Sequence, residues 1–500
     1  MHFGIDLGTE YSKVAYLIKD SSDVSMIHFN DGSNLIPSIV SYTDDDVLVG
    51  QCAKDNAVFN HENTIYDIKL LIGVDYRNIP GQALRTWPFK VLMAGKNNHP
   101  CIELKPNEKI IYPEQILAKL LEEIKIYIQN LLGFQDVDAV ITVPAYFNYD
   151  QLQKIKEASQ IAGLNAIKFL NEPTAAAIAY YWKNRSSVKR LALIYDLGSG
   201  KFEASVIKVE NNSFNILGTN VNAHLGGEEI DKNMVKHFIK IFNEKHNCDI
   251  SKDLRARSLL KSICEKGKIN LSHVNKTKLC CPSLYHEINF MESITREEFE
   301  DMNKDLFQAT LITIHNLINE IKMKPEDIDD IFLVGGSSKI SYVREMLKDF
   351  FGKEPLRIGI DPETAVAQGA AIFAANLNDI DVSKIKSVIT HSIGIKAKNP
   401  NGDSYMDIIF SRYTPIPSSV QKTILIKESG IIEVYKGEDP NPEHNDKICK
   451  YTICNNSGNS EDEILIEFKV DEDGHLDLSA KYKSTGKSDK ITIIKEEFSE

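Results

Sequence analysis

One short pattern occurs twice in this chain and constrains it more than any other: an apolar strand ends in Asp-Leu-Gly, turns, and runs back as a second strand. His2 to Ile18, HFGIDLGTEYSKVAYLI, places Asp6-Leu7-Gly8 at the corner. Leu191 to Val209, LALIYDLGSGKFEASVIKV, places Asp196-Leu197-Gly198 at the same point. Glycine suits a hairpin corner because φ > 0 costs it nothing, and consecutive backbone N–H groups in such a turn can converge on an anion. A carboxylate just before each turn is where hydrated Mg²⁺ would be held, since that ion keeps several waters and needs only one or two acidic partners beside a phosphate. A single Asp-Leu-Gly is an ordinary corner; two facing copies would clamp one triphosphate.

Five hundred residues exceed what one hydrophobic core usually serves, so roughly two to four domains are expected. With 58 Lys and Arg against 71 Asp and Glu, the net charge of −13 argues against a general binder of nucleic acid or anionic membrane. A strand beginning at Phe3 leaves no room for a signal peptide, and no apolar run is long enough to cross a bilayer, so a cytoplasmic protein is expected. The eight cysteines include no C-x-x-C and no paired Cys/His spacing, which predicts reduced thiols and no zinc site.

After the first hairpin, short strands run to Gly50, and Asn63 to Gly73 predicts a short helix carrying Lys69. Ile116, Leu120, Ile124 and Ile128 recur at helical spacing between Pro113 and Gly133, so an amphipathic helix spans Pro113 to Leu132. Val137 to Pro144 reads as a buried strand, followed by a helix to Gly163, a strand at Ile167 to Leu170, and an alanine-rich helix begun by Glu172-Pro173. The second hairpin is followed by a turn at Leu225-Gly226-Gly227-Glu228-Glu229 and by helices through Leu271. A capping box at Thr295 to Glu298 opens a long helix to about Met323. Asp330 to Val334 is a strand that delivers Gly335-Gly336-Ser337-Ser338 to the start of a helix, an anion-friendly arrangement. A second alanine-rich helix follows Asp361-Pro362 and ends near Asn376. Beyond Leu377 the composition changes: residues 378–386 read as a linker, and Ser387 to Lys495 alternates with period two between turn clusters, an antiparallel β-domain. Its last strands are expected at Ile464 to Val470, Leu476 to Tyr482 and Lys490 to Ile494.

With these motifs, and with VITVPAYFN, IAGLN, NEPTAAAIAY, HLGGEEID, LVGGSSKI and KSTGKSDKITI, the chain resembles the seventy-kilodalton heat-shock chaperones along almost its whole length. The resemblance implies an α/β actin-like two-lobed ATPase domain over residues 1–377, a linker over 378–386, and an antiparallel β-sandwich that grips extended polypeptide over 387–500, without a helical lid. It implies ATP or ADP with Mg²⁺ as cofactors, with Asp6 and Asp196 holding the metal through water. Lys69 matches the lysine beside the γ-phosphate, whose charge stabilises the transferring group, and Glu172 an acid that places the attacking water. Gly8, Thr9, Glu10, Tyr11, Gly198, Ser199, Gly200 and Lys201 match the phosphate turns. Gly226, Gly227, Glu228, Glu265, Lys268, Ser272, Gly335, Gly336, Ser337, Lys339 and Glu363 match positions around base, ribose and phosphates. The partners implied are polypeptide clients, a J-domain co-chaperone, a nucleotide-exchange factor and, for some members, the ribosome.

The chain departs from the family at working parts. Glu10 stands where the family has Thr or Asn, Lys201 and Glu203 where it has Thr and Asp, and Ser199 replaces a glycine. A carboxylate about 5 Å from a γ-phosphate costs on the order of 3 kcal/mol at an effective dielectric of 20. The expectation is therefore that Glu10 pairs with Lys201 across the cleft. Ile269 and Lys339 occupy the places of two arginines that sandwich adenine, which predicts weaker nucleotide affinity. A relay arginine appears as Leu152, the apolar linker as Ser383-Lys384-Ile385-Lys386, and the residues arching over bound peptide as Lys398 and Lys427, with a pocket position near Gly430. Two functions fit: an ATP-binding chaperone with slow or conditional hydrolysis, or a non-hydrolysing regulatory member that uses ATP as a structural ligand. A small-molecule kinase is set aside, because such chemistry has no use for the β-domain.

Overall fold

The structure is a computed structural model that describes residues 2–18, 23–29, 31–95, 98–133, 135–182, 188–356, 359–377, 385–426, 429–454, 462–482 and 488–490. Each repeated hairpin seeds a sheet. In the first, His2–Asp6 pairs antiparallel with Tyr11–Leu17 and parallel with Asp138–Val143, which pairs in turn with Asn165–Asn171. In the second, Arg190–Leu197 pairs antiparallel with Phe202–Glu210 and parallel with Asp330–Val334, with Ser213–Asn222 outside. The duplication therefore extends past the hairpin, since in both copies a crossover returns a parallel strand to the open side of the Asp-bearing strand. Strands covered on both faces are apolar throughout; Val140, Ile141, Phe332 and Leu333 are buried accordingly.

Two alanine-rich helices, Glu172–Trp182 and Ala365–Ala375, pack against each other between these sheets. A Cβ added to Gly369 would lie 1.7 Å from the Ala175 carbonyl oxygen, and one added to Gly4 would lie 2.1 Å from the Ala371 nitrogen. Small side chains are what permit this approach, and the resulting core mixes Ala175, Ala176, Val140, Ala192, Val334 and Ala370 from both sheets and both helices. Each sheet also has its own outer core, under Pro113–Leu132 and Tyr149–Ile161 for the first and under Gly227–His246, Leu254–Leu271 and Arg296–Glu320 for the second. The expected local signals hold: Pro113 opens its helix, Gly133 closes it at φ 71°, and Thr295 and Glu298 form the capping box.

The helix expected over Asn63 to Gly73 does not form. That stretch is a strand, Thr64–Ile65, and a 3-10 turn, Ile68–Leu70. Asp67 sits at φ 57° with its carboxylate accepting from Trp87 Nε1 at 2.9 Å, and a left-handed residue interrupts a right-handed helix.

The β-region contains two four-stranded antiparallel sheets. One orders Ser404–Phe410, Ile393–Lys398, Ser429–Lys436 and Asp446–Cys454; the other orders Ser418–Ile426, Asp462–Val470, Leu476–Tyr482 and Ser488–Lys490. Ile395, Phe410, Val434, Tyr451, Ile464, Ile466 and Phe468 form their shared core. Of the expected last strand only Lys490 is described, as the end of Ser488–Lys490; residues 491–494 lie outside the described residues. At the end of the expected linker, Ile385–Lys386 is a strand that pairs parallel with Phe214 and Asn215 at the second sheet's edge. Ile385 packs there against the central core; residues 378–384 lie outside the described residues. Tyr413 Oη donates to Glu320 Oε2 at 2.7 Å and to the Thr219 carbonyl at 3.0 Å, so the β-region also touches the second sheet. Among the described residues no helix is long and apolar enough to cross a membrane.

The helix crossing gives a stability prediction. Gly369→Ala is expected to lower the thermal midpoint or prevent folding, since overpacking costs about 1–3 kcal/mol even where neighbours yield and a carbonyl yields least. Gly81→Ala, whose added Cβ meets only Arg85 at 3.5 Å, is the control expected to leave the midpoint unchanged, both followed by circular dichroism.

Candidate functional site

The two Asp-Leu-Gly corners open on one cleft with a volume of about 240 Å³. Asp6, Gly8, Thr9, Glu10, Tyr11 and Lys69 line one wall, and Asp196, Gly198, Ser199, Gly200 and Lys201 the other, with Glu172 between them. Gly335, Gly336, Ser337, Lys339 and Glu363 line the cleft beside the second corner, as do Glu265, Lys268 and Ser272 from around the Leu254–Leu271 helix. Gly226, Gly227 and Glu228 do not line it. They back the second corner instead: the amides of Gly227 and Glu228 donate to the carbonyls of Gly198 and Ser199 at 2.9 and 2.8 Å. A Cβ on Gly226 would meet the Ser199 oxygen at 2.2 Å, while the Glu228 carboxylate turns away to Lys261 Nζ at 3.0 Å.

Of the corner glycines, Gly8 is needed for space rather than for φ, whereas Gly198 has room for a Cβ, whose nearest neighbour would be the Lys201 oxygen at 3.7 Å. Neither Gly8 nor Gly198 has positive φ, but a Cβ on Gly8 would lie 2.0 Å from the Tyr11 oxygen. Positive φ is instead the property of Gly335, at 82°, whose Cβ would also strike Leu197 O at 2.3 Å. The helix expected to start at Gly335 is preceded by a 3-10 turn, Gly336–Lys339, and begins at Ser341.

Charge is concentrated on the cleft floor. Lys69 Nζ, on its 3-10 turn, donates to Glu172 Oε1 and to the Leu7 carbonyl, both at 2.6 Å. Lys201 Nζ reaches Glu172 Oε2 at 3.1 Å and Glu203 Oε2 at 2.7 Å, and lies 4.7 Å from the Tyr146 ring centroid. Burial alone would push the Glu172 carboxyl up; Lys201 and Lys69 outweigh it and hold it at about 2. Burial alone would lower Lys201, and Glu172 and Glu203 raise it well above the ordinary lysine value. Asp196 is pushed up to about 7 by burial and by Glu172, Glu203 and Asp6, against the pull of Lys201.

The expected Glu10–Lys201 pair does not exist. Lys201 immediately precedes the returning strand Phe202–Glu210, and Glu203, two residues on, holds its ammonium at the floor. Glu10, at the tip of the first turn, instead meets the helix Leu254–Leu271, where burial and Glu265 raise it to about 7, with Lys261 and Lys268 opposing. Beside it a polar chain joins the two halves: Lys54 Nζ donates to Tyr11 Oη at 2.6 Å, and Tyr11 Oη to Glu265 Oε1 at 3.5 Å. Ile269 lines the cleft mouth with 54% exposure, and Lys339 is held by Asp361 at 2.8 Å and Glu363 at 3.0 Å, so the base side has no stacking guanidinium at these positions.

Sequence reasoning passed over Lys13. It stands directly across the hairpin from Asp6, and its Nζ lies 3.1 Å from Asp6 Oδ2 inside the cleft. A lysine in an otherwise apolar strand, opposite a carboxylate already singled out, was the available signal.

The donor set fits a hydrated divalent cation: Asp6 and Asp196 both face the cleft, and burial and neighbouring acids disfavour the ionised form of Asp196, which a cation would favour. Glu10 gives a pH prediction. Its carboxyl is raised, so the fold loses stability progressively as pH rises from about 4.5, where the unfolded chain ionises, to about 7, and the loss stays constant above that. Glu10→Gln is therefore expected to stabilise the protein above pH ~8, by at most about 3 kcal/mol, and to approach the wild type near pH ~4, where the carboxyl is mostly neutral in the folded and the unfolded chain alike. Parallel melting curves across that range check it; a constant difference would contradict it.

A sequence model described as Hsp70 protein matches residues 2–500. The chain is 37% identical over 504 residues to the Heat shock 70 kDa protein of Neurospora crassa, covering 98% of this chain and 77% of that protein. It is also 37% identical over 506 residues to a ribosome-associated molecular chaperone of Saccharomyces cerevisiae, covering 98% of this chain and 81% of that protein. The paired corners, the shared cleft and these similarities over nearly the whole chain lead to one conclusion: this chain belongs to the Hsp70 family.

Proposed function

We propose that the protein is an ATP-binding chaperone of the heat-shock type. In this reading residues 1–377 are a two-lobed actin-like ATPase unit, 378–386 the connector, and 387–500 a β-sandwich that holds extended polypeptide. The observation that carries it is the closure of both Asp-Leu-Gly corners on one cleft whose floor is the Lys69–Glu172 pair. Bound Mg²⁺ would supply charge neutralisation at the phosphate oxygens, with Asp6 and Asp196 holding its waters. Lys69, which lines the cleft, would face the terminal phosphate and stabilise the charge spread over it on transfer. Glu172, kept ionised by two ammonium groups, orients the attacking water rather than taking its proton, because a carboxylate at about 2 is a weak base. Hydrolysis is accordingly slow. The partners in this reading are polypeptide clients, a J-domain co-chaperone and a nucleotide-exchange factor in the cytoplasm. Ribosome association is supported by relatives that carry it in their names.

Single-turnover ATP hydrolysis, with and without a J-domain, tests the reading. The wild type is expected to hydrolyse ATP faster than buffer, and Lys69→Met to lose about 100-fold or more in that rate. For the β-region, fluorescence anisotropy with an extended apolar heptapeptide is expected to show binding that weakens when ATP is added. No binding in either nucleotide state would reduce that region to a docking module.

A further inference from the structure

The two halves of the duplication treat their aspartates differently. Across from Asp6 in the first hairpin stands Lys13; across from Asp196 in the second stands Glu203. Acid against acid at the second corner is balanced from the neighbouring position, where Lys201 bridges Glu203 and Glu172. Both ammonium groups are largely enclosed, with 14% and 13% of their side chains exposed, and both line the cleft. Three acids, Asp6, Glu172 and Asp196, and three ammonium groups, Lys13, Lys69 and Lys201, line the cleft, and a fourth acid, Glu203, is buried behind Lys201.

We infer that Lys13 and Lys201 are positioning residues that supply, from the chain itself, much of the positive charge a polyphosphate would otherwise draw from a divalent cation, so that this protein binds nucleoside diphosphate with little dependence on Mg²⁺. The inference rests on the nucleotide-binding reading above. An anion entering a low-dielectric site is repelled by each uncompensated carboxylate and attracted by each ammonium at comparable range. Lys13 neutralises the first metal-holding aspartate by direct contact, and Lys201 neutralises Glu203, the acid that stands across the hairpin from the second. With neither lysine, the three acids of the cleft and Glu203 behind them would face Lys69 alone, and only a divalent cation would admit the phosphates.

The test is isothermal titration calorimetry of ADP on the full chain, in magnesium buffer and in excess EDTA, with the ratio of the two dissociation constants as the readout. Because each ratio is taken within one variant, a general loss of affinity cancels. The wild type is expected to show a ratio below about 10, and Lys201→Thr and Lys13→Ala each to raise it by about 10-fold. Lys201→Arg, which keeps the charge, is expected to retain the wild-type ratio. A wild-type ratio above about 100 overturns the inference whatever the variants do, while leaving the chaperone reading intact. Unchanged ratios in folded Lys201→Thr and Lys13→Ala overturn it too. Absence of ADP binding in magnesium removes both readings.

Discussion

The close crossing of two alanine-rich helices is the constraint on which the rest of this structure depends. Gly369 lets the backbone of Ala365–Ala375 lie against the Ala175 carbonyl, and Gly4 brings the Asp6 strand against the same helix. A wider separation would pull apart the two sheets whose corners must face each other. The same helices also deliver chemistry, because Glu172 is the first residue of one and Glu363 lies just ahead of the other, both at the cleft. Packing of side chains no larger than methyl groups thus fixes the spacing of charged groups at the helix ends.

On that frame, the site is an exercise in compensated charge. Removing carboxylates from water is costly unless each finds a partner. Here Glu172 is shared by Lys69 and Lys201, Glu203 takes the other side of Lys201 and a hydroxyl from Thr219 at 3.2 Å, and Asp6 has Lys13. Asp196 is left with the least compensation, which is where a bound cation has most to contribute. Glu10, displaced from this network, belongs to the seam between the halves and faces Glu265 instead.

Much of this was legible in the residues. The corners, the crossover strands, the Pro113–Leu132 helix and the Thr295 capping box rest on local chemistry, namely glycine at a tight approach, continuous apolar runs and proline at a first turn. Most of the candidate site residues line one cleft because they sit at those corners. What stayed hidden depended on contacts distant in sequence. The turn carrying Lys69 is shaped by Trp87 holding Asp67, a partner twenty residues on. The strand at the end of the expected linker forms because the open edge at Phe214 was there to receive Ile385.

By itself the sequence determined that two alike strand-turn-strand units exist, that each ends its first strand in a carboxylate, and that a β-rich segment follows. These are consequences of residue type and period, which act over a few neighbours. Only the tertiary structure decided which charges meet. The partner of Lys201 is chosen by its position just ahead of the strand Phe202–Glu210 and by where the Glu172 helix begins, so Glu172 and Glu203 win over Glu10. Coulomb interactions depend on distance in space and on the surrounding dielectric, and neither is written in the order of residues along a chain.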